Sequence, residues 1–353
     1  MMKNSFKKTL SLCVAVAFCV LLLAGCGGSG SSAPPATTSA EAGVTTDTGE
    51  ASGWKPTETV EFICPYGAGG GSDVYARVLA EYLQTLGIVE QPIVVVNKTG
   101  GSGAVGMGYL ADQKGKSNVI CTMIAGQISN PIANDLPVKV ENLTPIANIA
   151  QEDMCFVALT SAQGDKFSTI EEFIEYAQAN PQKINVGAVS TANEDQMTFA
   201  MLDKLAGNTM NYVSFDGAGD VMTALLGGHV DMAIFNPSEY IGQLDAGTVY
   251  TLATMSEERI WDDVPTMIEI SGDSSMVFKN IRGILGPPDM PAEALKFWSD
   301  AFQQVAEDPD FQEKYLKDRM LEPYFLNSDD ALSFYNSQRD IYTELLKDLG
   351  FIV

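Results

Sequence analysis

Pro65-Tyr66-Gly67-Ala68-Gly69-Gly70-Gly71-Ser72-Asp73 is the stretch on which the reading of this chain turns. An apolar, strand-like run, Val60 to Cys64, precedes it. A segment with helical spacing follows, its apolar positions at Val74, Val78, Leu79, Tyr82, Leu83 and Leu86. Four glycines in five positions remove Cβ atoms where a strand passes into a helix, so backbone can approach a ligand closely. A helix starting near Ser72 aims its unpaired N–H groups and the positive end of its dipole at the same place. Strand, glycine loop and helix start together predict an anion site. The plainer alternative is a tight turn with Ser72 as N-cap and Asp73 in the first helical turn.

Upstream of this unit the chain has other business. Lys3, Lys7 and Lys8 form a basic head, and Leu10 to Leu23 an apolar run too short and wrongly flanked for a membrane span. Leu23-Ala24-Gly25-Cys26 then resembles the bacterial lipobox. Residues 1–25 are therefore expected to be a lipoprotein signal peptide, with Cys26 lipidated and the mature protein tethered outside the cytoplasmic membrane. Residues 26–53 are rich in Gly, Ser, Thr, Ala and Pro and lack large apolar side chains, which predicts a flexible leash. About 300 residues remain from Trp54, enough for two ordinary domains.

The formal charge is −24, and loss of the three leader lysines takes it to −27. An acidic body without a basic cluster argues against nucleic acid and against electrostatic docking on anionic lipid. An anionic ligand would have to be held by local dipoles against the overall field. Cys13 and Cys19 leave with the leader, while Cys64, Cys121 and Cys155 each sit in an apolar run and read as buried thiols. No cluster of His, Cys or carboxylates has metal spacing, so neither metal nor cofactor is expected.

Downstream, strand-like runs alternate with loops and helices. Pro92 to Asn97 and Val119 to Ile124 read as strands, the second followed by a polar loop from Ala125 to Pro131. A second series starts near Phe156, with Ser168-Thr169-Ile170-Glu171 as a capping box. It continues through strand Ile184–Ala188, helix Asp195–Leu205, strand Asn211–Ser214, helix Asp220–Leu226, strand Val230–Phe235 and helix Ser238–Asp245, and ends at strand Tyr250–Thr254. The chain returns at Ile281 to Gly286, followed by helices from Pro291, from Pro309 to Met320, and from Asp329 to Leu349 with Ser328 as cap. This alternation predicts an α/β protein of two lobes, each a mainly parallel sheet flanked by helices: lobe 1 from 54–155 and 277–353, lobe 2 from 156–276. Two crossings between the lobes would serve as a hinge.

Enzyme chemistry finds little support. Gly101-Ser102-Gly103-Ala104-Val105-Gly106 is a literal dinucleotide pattern, but the following strand ends at Met123-Ile124-Ala125-Gly126 without the ribose-binding acid. An exported protein would also meet no nicotinamide pool. The single histidine, His229, lies in a helix-to-strand turn, and no G-x-S-x-G elbow exists. The better constellation is the set of polar loops at predicted strand ends: Tyr66 to Ser72, Gly126 to Asn130, Ser190 to Asn193, Phe215 to Gly219 and Asn236 to Ser238. Such loops suit a small carboxylate held between two domains by hydrogen bonds, although each also reads as helix capping.

PYGAGGGSDVYARVLAEYL, VVVNKTGGSGAVGMGYLA, SNPI, TPIANIA, INVGAVS, NYVSFDGAGDVMTALLGGHVDMAIF, DVPT and GPPDMPAEAL occur in that order. Together they resemble the tripartite tricarboxylate transporter substrate-binding receptors, the TctC or Bug family, from about Trp54 to the C-terminus. The resemblance implies a monomeric Venus-flytrap fold, periplasmic-binding-protein-like, that closes on a small carboxylate: a di- or tricarboxylate, an amino acid or another organic acid. One carboxylate would be held, partly through ordered waters, by Tyr66, Gly67, Ala68, Gly69, Ser72 and Asp73 with Gly126, Gln127, Ser129 and Asn130. Ser190, Thr191, Phe215, Gly217, Ala218, Asn236 and Ser238 would meet the distal end. The receptor would deliver its ligand to a cation-driven permease of two membrane subunits; a sensory ectodomain partnering a membrane signalling protein is the alternative. Where the family usually has small hydroxyl residues, this chain has Ala192-Asn193-Glu194-Asp195. Those acids either cap the helix or face the cleft and disfavour a second ligand carboxylate. Valine at Gly69 or Gly70 is expected to abolish binding.

Overall fold

The computed structural model describes residues 53–159 and 166–353; the expected leader, Cys26 and nearly all of the expected leash lie outside them. The first unit is strand β1 (Val60–Cys64), the glycine loop and helix α1 (Gly71–Thr85). The helix starts a turn-position earlier than Ser72 would allow as a cap: Gly70 is the N-cap and makes no side-chain cap, while Ser72 is buried in the first turn. Next come β2 (Ile93–Asn97), α2 (Ala104–Asp112), β3 (Val119–Met123), α3 (Gly126–Ala133) and a long β4 (Thr144–Asp153). The chain continues with β5 (Cys155–Leu159), α4 (Ile170–Ala179), β6 (Asn185–Val189), α5 (Glu194–Leu205), β7 (Asn211–Phe215) and α6 (Ala218–Leu226). It then forms β8 (Met232–Phe235), α7 (Pro237–Asp245), β9 (Val249–Thr254), the short α8 (Met267–Ser271), β10 (Lys279–Gly286), α9 (Ala292–Glu307), a short α10 (Pro309–Phe311), β11 (Glu322–Leu326) and α11 (Ser328–Asp348).

The strands form two sheets, ordered β11-β4-β10-β3-β1-β2 and β7-β6-β8-β5-β9. Both are mixed rather than mainly parallel. In the first, β1 runs parallel to β2 and β3, but β10 is antiparallel to β3 and β4, and β11 is antiparallel to β4. In the second, β6 is parallel to β7 and β8, while β5 is antiparallel to β8 and β9. β5 and β10, which run against the parallel strands of their sheets, each follow a passage of the chain from one sheet to the other, where no βαβ crossover imposes a direction; β11 reverses at the edge of the first sheet. Each sheet with its helices makes one lobe.

Several elements differ from their sequence reading. Ala125–Pro131 reads in the sequence as a polar loop, yet α3 forms there. Gln127 turns inward, its Oε1 accepting from the Ile124 amide and its Nε2 donating to the Thr122 carbonyl. Those bonds satisfy the backbone that a loop would leave buried and unpaired. α4 is capped by Thr169, which accepts from the Glu172 amide, one residue later than the motif implied; likewise Asn327, not Ser328, caps α11. The stretch from Pro309 is a single α-turn followed by a π-type turn ending at Lys317, not one helix to Met320. β4 and β11 had no strand reading in the sequence.

The three thiols Cys64, Cys121 and Cys155 are buried and free, and Trp298, Tyr75 and Phe302 fill the lobe built on the first sheet.

A candidate ligand cleft between the two sheets

Strand β10 carries Asn280 and Arg282 two positions apart, so both project from one face of a strand that is otherwise apolar beyond its first residue, Lys279. Its antiparallel register sets Asn280 opposite Glu152 of β4. Arg282 Nε then donates to Glu152 Oε2 at 2.9 Å, a second bond runs from Nη2, and both side chains are almost fully buried. A buried guanidinium needs this partner, because an isolated charge in that setting is prohibitively costly.

From the other sheet, helices α5, α6 and α7 point their first turns at the same place. Glu194 and Asp195 open α5, Gly217 caps α6, and Asn236 caps α7 with Glu239 three residues on. Asn280 Nδ2 donates to Glu194 Oε1 at 3.3 Å and to Asn236 Oδ1 at 3.2 Å. The Ser238 amide donates to Glu152 Oε1 at 2.9 Å. The Gly71 amide, first in α1, donates to Glu239 Oε1 at 3.3 Å. Thus the helix start predicted to seat an anion does hold a carboxylate, and it belongs to the protein's own opposite lobe. A Cβ on Gly71 would come within 2.9 Å of Arg282 Nη2 and 3.2 Å of Glu239 Oε1, so only glycine lets this meeting occur.

Four carboxylates, on Glu152, Glu194, Asp195 and Glu239, surround the single Arg282 guanidinium; Glu239 is partly exposed and the other four groups are buried. Burial pushes the Glu194 carboxyl up to about 7; Arg282 opposes this and Glu239 adds to it. Burial, then the neighbouring Glu194 and Glu239, also raise Asp195, although its Oδ2 accepts from the Val189 amide at 2.7 Å. Burial likewise raises Glu239, against the pull of Arg282. Two atoms here have no partner: Glu194 Oε2 and the Tyr66 hydroxyl. The amides of Glu194 itself and of Gly126 favour the Glu194 anion, but burial outweighs them.

All of these charged side chains but Glu152 line a cavity of about 30 Å³ with Tyr66, Gly67, Gly70, Ser72, Asp216, Gly217 and Ala218, room for about two waters. A much larger groove, about 910 Å³, lies along α5, α11 and the start of β10, but none of the sequence-predicted residues lines it. The small cavity is the candidate site because the buried, partly unsatisfied polar groups collect there.

Of the residues singled out by sequence, Tyr66, Gly67, Ser72, Gly217, Ala218 and Asn236 come together on this cavity, and Gly126 abuts it. Gly69 and Ser238 line a separate recess beside α1 and Arg319. Ala68 is exposed. Asp73 faces away, gripping the Gly69 amide, Arg77 and Asn97. Gln127 braces its own turn, and Asn130 Nδ2 donates to the carbonyls of Gly101 and Ser102. Ser129 Oγ donates to the Ala192 carbonyl at 2.8 Å and the Thr191 amide to Ser102 Oγ at 3.2 Å, so these two tie the lobes together. The Ser190 carbonyl accepts from the Tyr212 hydroxyl, and Phe215 packs in the second lobe's core. Gly70 has an ordinary extended conformation and room for a Cβ, although it lines the small cavity that valine's methyls would enter; Gly69, at φ +81°, strains any side chain. Glu239, Asn280 and Arg282 were not foreseen. A lone arginine and asparagine inside an apolar strand were the available signal, since such residues are buried only with partners.

The family model described as "Tripartite tricarboxylate transporter family receptor" matches residues 75–351. The chain belongs to this receptor family. A UPF0065 protein in the gbd 5′ region of Cupriavidus necator is 27% identical, over 79% of this chain and 84% of that one. BugT of Bordetella pertussis is 29% identical, over 61% of this chain and 66% of its own. The periplasmic binding protein BugD superposes with a TM-score of 0.77 at 26% identity, covering 84% of this chain and 99% of that structure. MatC of Rhodopseudomonas palustris, solved with bound malate, superposes at 0.73 with 20% identity, over 82% of this chain and 99% of its own. The TctC receptor described here is accordingly a two-lobed solute-binding protein and not an enzyme, as its residues implied. No helix among the described residues is long and apolar enough to cross a membrane.

Proposed function

We propose that this TctC receptor is tethered outside the cytoplasmic membrane through Cys26, captures a small carboxylate between lobe 1 (54–155 and 277–353) and lobe 2 (156–276), and hands it to a two-subunit, cation-driven permease. The observation that carries the reading is the Glu239 carboxylate on the Gly71 amide beside Arg282. A helix N-terminus with a guanidinium next to it is a seat for a carboxylate, and a ligand's can replace the side chain's. In the arrangement described the cavity admits only water, so ligand enters an open form and bridges the lobes on closure. Its differential contacts with the closed form supply the population shift.

Native mass spectrometry of the purified protein, followed by thermal-shift screening of organic acids, tests the reading. The expected result is a co-purifying carboxylate that raises the melting temperature and loses its effect in Gly71→Val. Globomycin-sensitive processing and labelling of Cys26 by a palmitate analogue test the anchor.

A further inference from the structure

Resting on that reading, we propose that the ligand is a zwitterion: its carboxylate takes the Gly71 and Arg282 seat, and its ammonium is received by Glu194 Oε2 with the Tyr66 hydroxyl as second acceptor.

The argument starts from charge. Arg282 already donates through two nitrogens to Glu152 Oε2, which leaves Glu194, Asp195, Glu239 and the more exposed Asp216 without a cation of their own among the residues lining the cavity. Asp195 and Glu239 at least accept backbone amides. Glu194 has one long bond from Asn280 and one bare oxygen. A second ligand carboxylate would enter the field of these acids unopposed, whereas an ammonium supplies the missing charge and a full set of donors.

Geometry agrees. Glu194 is 4% exposed and Tyr66 8%, and their unpartnered oxygens come from opposite lobes. They meet at Gly126, where a Cβ would lie 2.9 Å from Glu194 Oε2 and 3.1 Å from the Tyr66 oxygen. With no side chain on Gly126 the two oxygens, together with Asn193 Cβ, close in on its Cα, and a donor that reaches both oxygens touches both lobes at once. Closure is then favoured by the cationic end as well as the anionic one.

The charged and titratable groups acting on Glu194 or feeling its field are Asp195, Glu239, Arg282, Tyr66, Tyr212 and Tyr342. Only Arg282 among them is cationic. With Glu194 held near neutral pH by burial, an arriving ammonium ionises it, so binding releases a proton at pH 6 to 7.

The test is calorimetry on the mature protein with matched ligands that differ at one position: L-alanine, L-lactate and propionate; L-leucine, 2-hydroxyisocaproate and 4-methylpentanoate; L-aspartate, L-malate and succinate. The expected result is at least one set in which the amino acid binds about tenfold or more tighter than both companions. Proton release is then seen in buffers of different ionisation heat. Glu194→Gln removes that preference while hydroxy-acid binding persists; Tyr66→Phe narrows it, and carries the test should the first variant fail to fold. If, in every set that binds, a hydroxy or deamino acid binds as tightly as its amino partner, the inference is overturned, most decisively if that affinity rises as pH falls, because Glu194 is then a neutral donor to a carboxylate. Binding of other carboxylates with no response to any amino acid overturns the inference and leaves the carboxylate receptor standing. Silence from amino acids and organic acids alike overturns both.

Discussion

Asp73 and Glu194 occupy the same place in their local architecture, the first turn of a helix that follows a parallel strand and a small-residue loop, yet they live in opposite electrostatic worlds. Asp73 is surrounded by donors: the Gly69 amide at 2.9 Å, Arg77 through two nitrogens and Asn97 Nδ2 at 2.9 Å. Burial works to raise its pKa, but those bonds prevail and hold the carboxyl below the usual range. Glu194 has deeper burial and weaker donors, a 3.3 Å bond from Asn280 and a bare Oε2, and burial carries its carboxyl up to about 7. A helix N-terminus by itself therefore does not settle an acid's charge; the number of donors brought by the rest of the fold does. One acid is fully paired within the receptor, while the other is left short of partners.

The sharpest way to break the comparison is to remove the one cation on the Glu194 side. Arg282→Met strands Glu152 in the interior and is expected to lower the unfolding free energy by about 3–5 kcal/mol, read from urea denaturation. A loss below about 1 kcal/mol would mean that the buried acids are already neutral and that charge does not distinguish the two sites. Next in size, Gly71→Ala pushes a Cβ against Arg282 and Glu239 and is expected to cost about 1–3 kcal/mol, whereas Gly70→Ala, with free space and extended backbone, costs well under about 1 kcal/mol. Equal effects at the two glycines would sink the close approach as the reason for the loop.

The pH dependence of stability separates the two acids without touching the backbone. Glu194 binds a proton more tightly folded than unfolded, so its contribution is full below about 4.5, the ordinary glutamate value, and is lost as pH rises through about 7. Asp73 runs the other way: its contribution is present above the ordinary value of 3.8 and disappears as acid protonates the folded state. The melting temperature of the empty receptor should accordingly fall between pH 5 and 8. Glu194→Gln is expected to flatten that fall, raising the melting temperature at pH 8 and leaving it nearly unchanged at pH 4.5. An unaltered slope would assign it to general repulsion within an acidic protein. The smallest effect belongs to Asp73→Asn, about 1 kcal/mol at neutral pH, because Arg77 is half exposed and solvent screens the pair. Its signature is in the acid limb, which should lose its dependence on that residue.

Much of the fold was legible beforehand for reasons internal to short segments. Period-two and period-3.6 patterns located nearly all the strands and helices of the second lobe to within a few residues, and the glycine loop announced the first βα turn. β4 escaped because Ala147, Asn148, Ala150 and Gln151 dilute its apolar pattern; it is a strand because two neighbours pair with it along its length. β11 escaped because Pro323 sits within it, a residue tolerated only at a sheet edge, and β11 is an edge. α3 reads as a polar loop, and only Gln127's inward bonds explain it.

The cleft divides along the same line. Tyr66, Gly67, Ser72, Gly217, Ala218 and Asn236 could be named in advance because helix starts and loops at strand ends are written in contiguous residues. By itself the sequence determined the class of protein, the alternation that builds each lobe, the family and the loops that would face one another. The tertiary structure alone decided which acids lie at the centre and which carry partners: Glu152 is 130 residues from Arg282, and Glu194 is 86 from Asn280. Secondary structure follows from interactions a few residues long, but the charge of a buried carboxylate is set through space, by whichever donors the closed chain brings within reach.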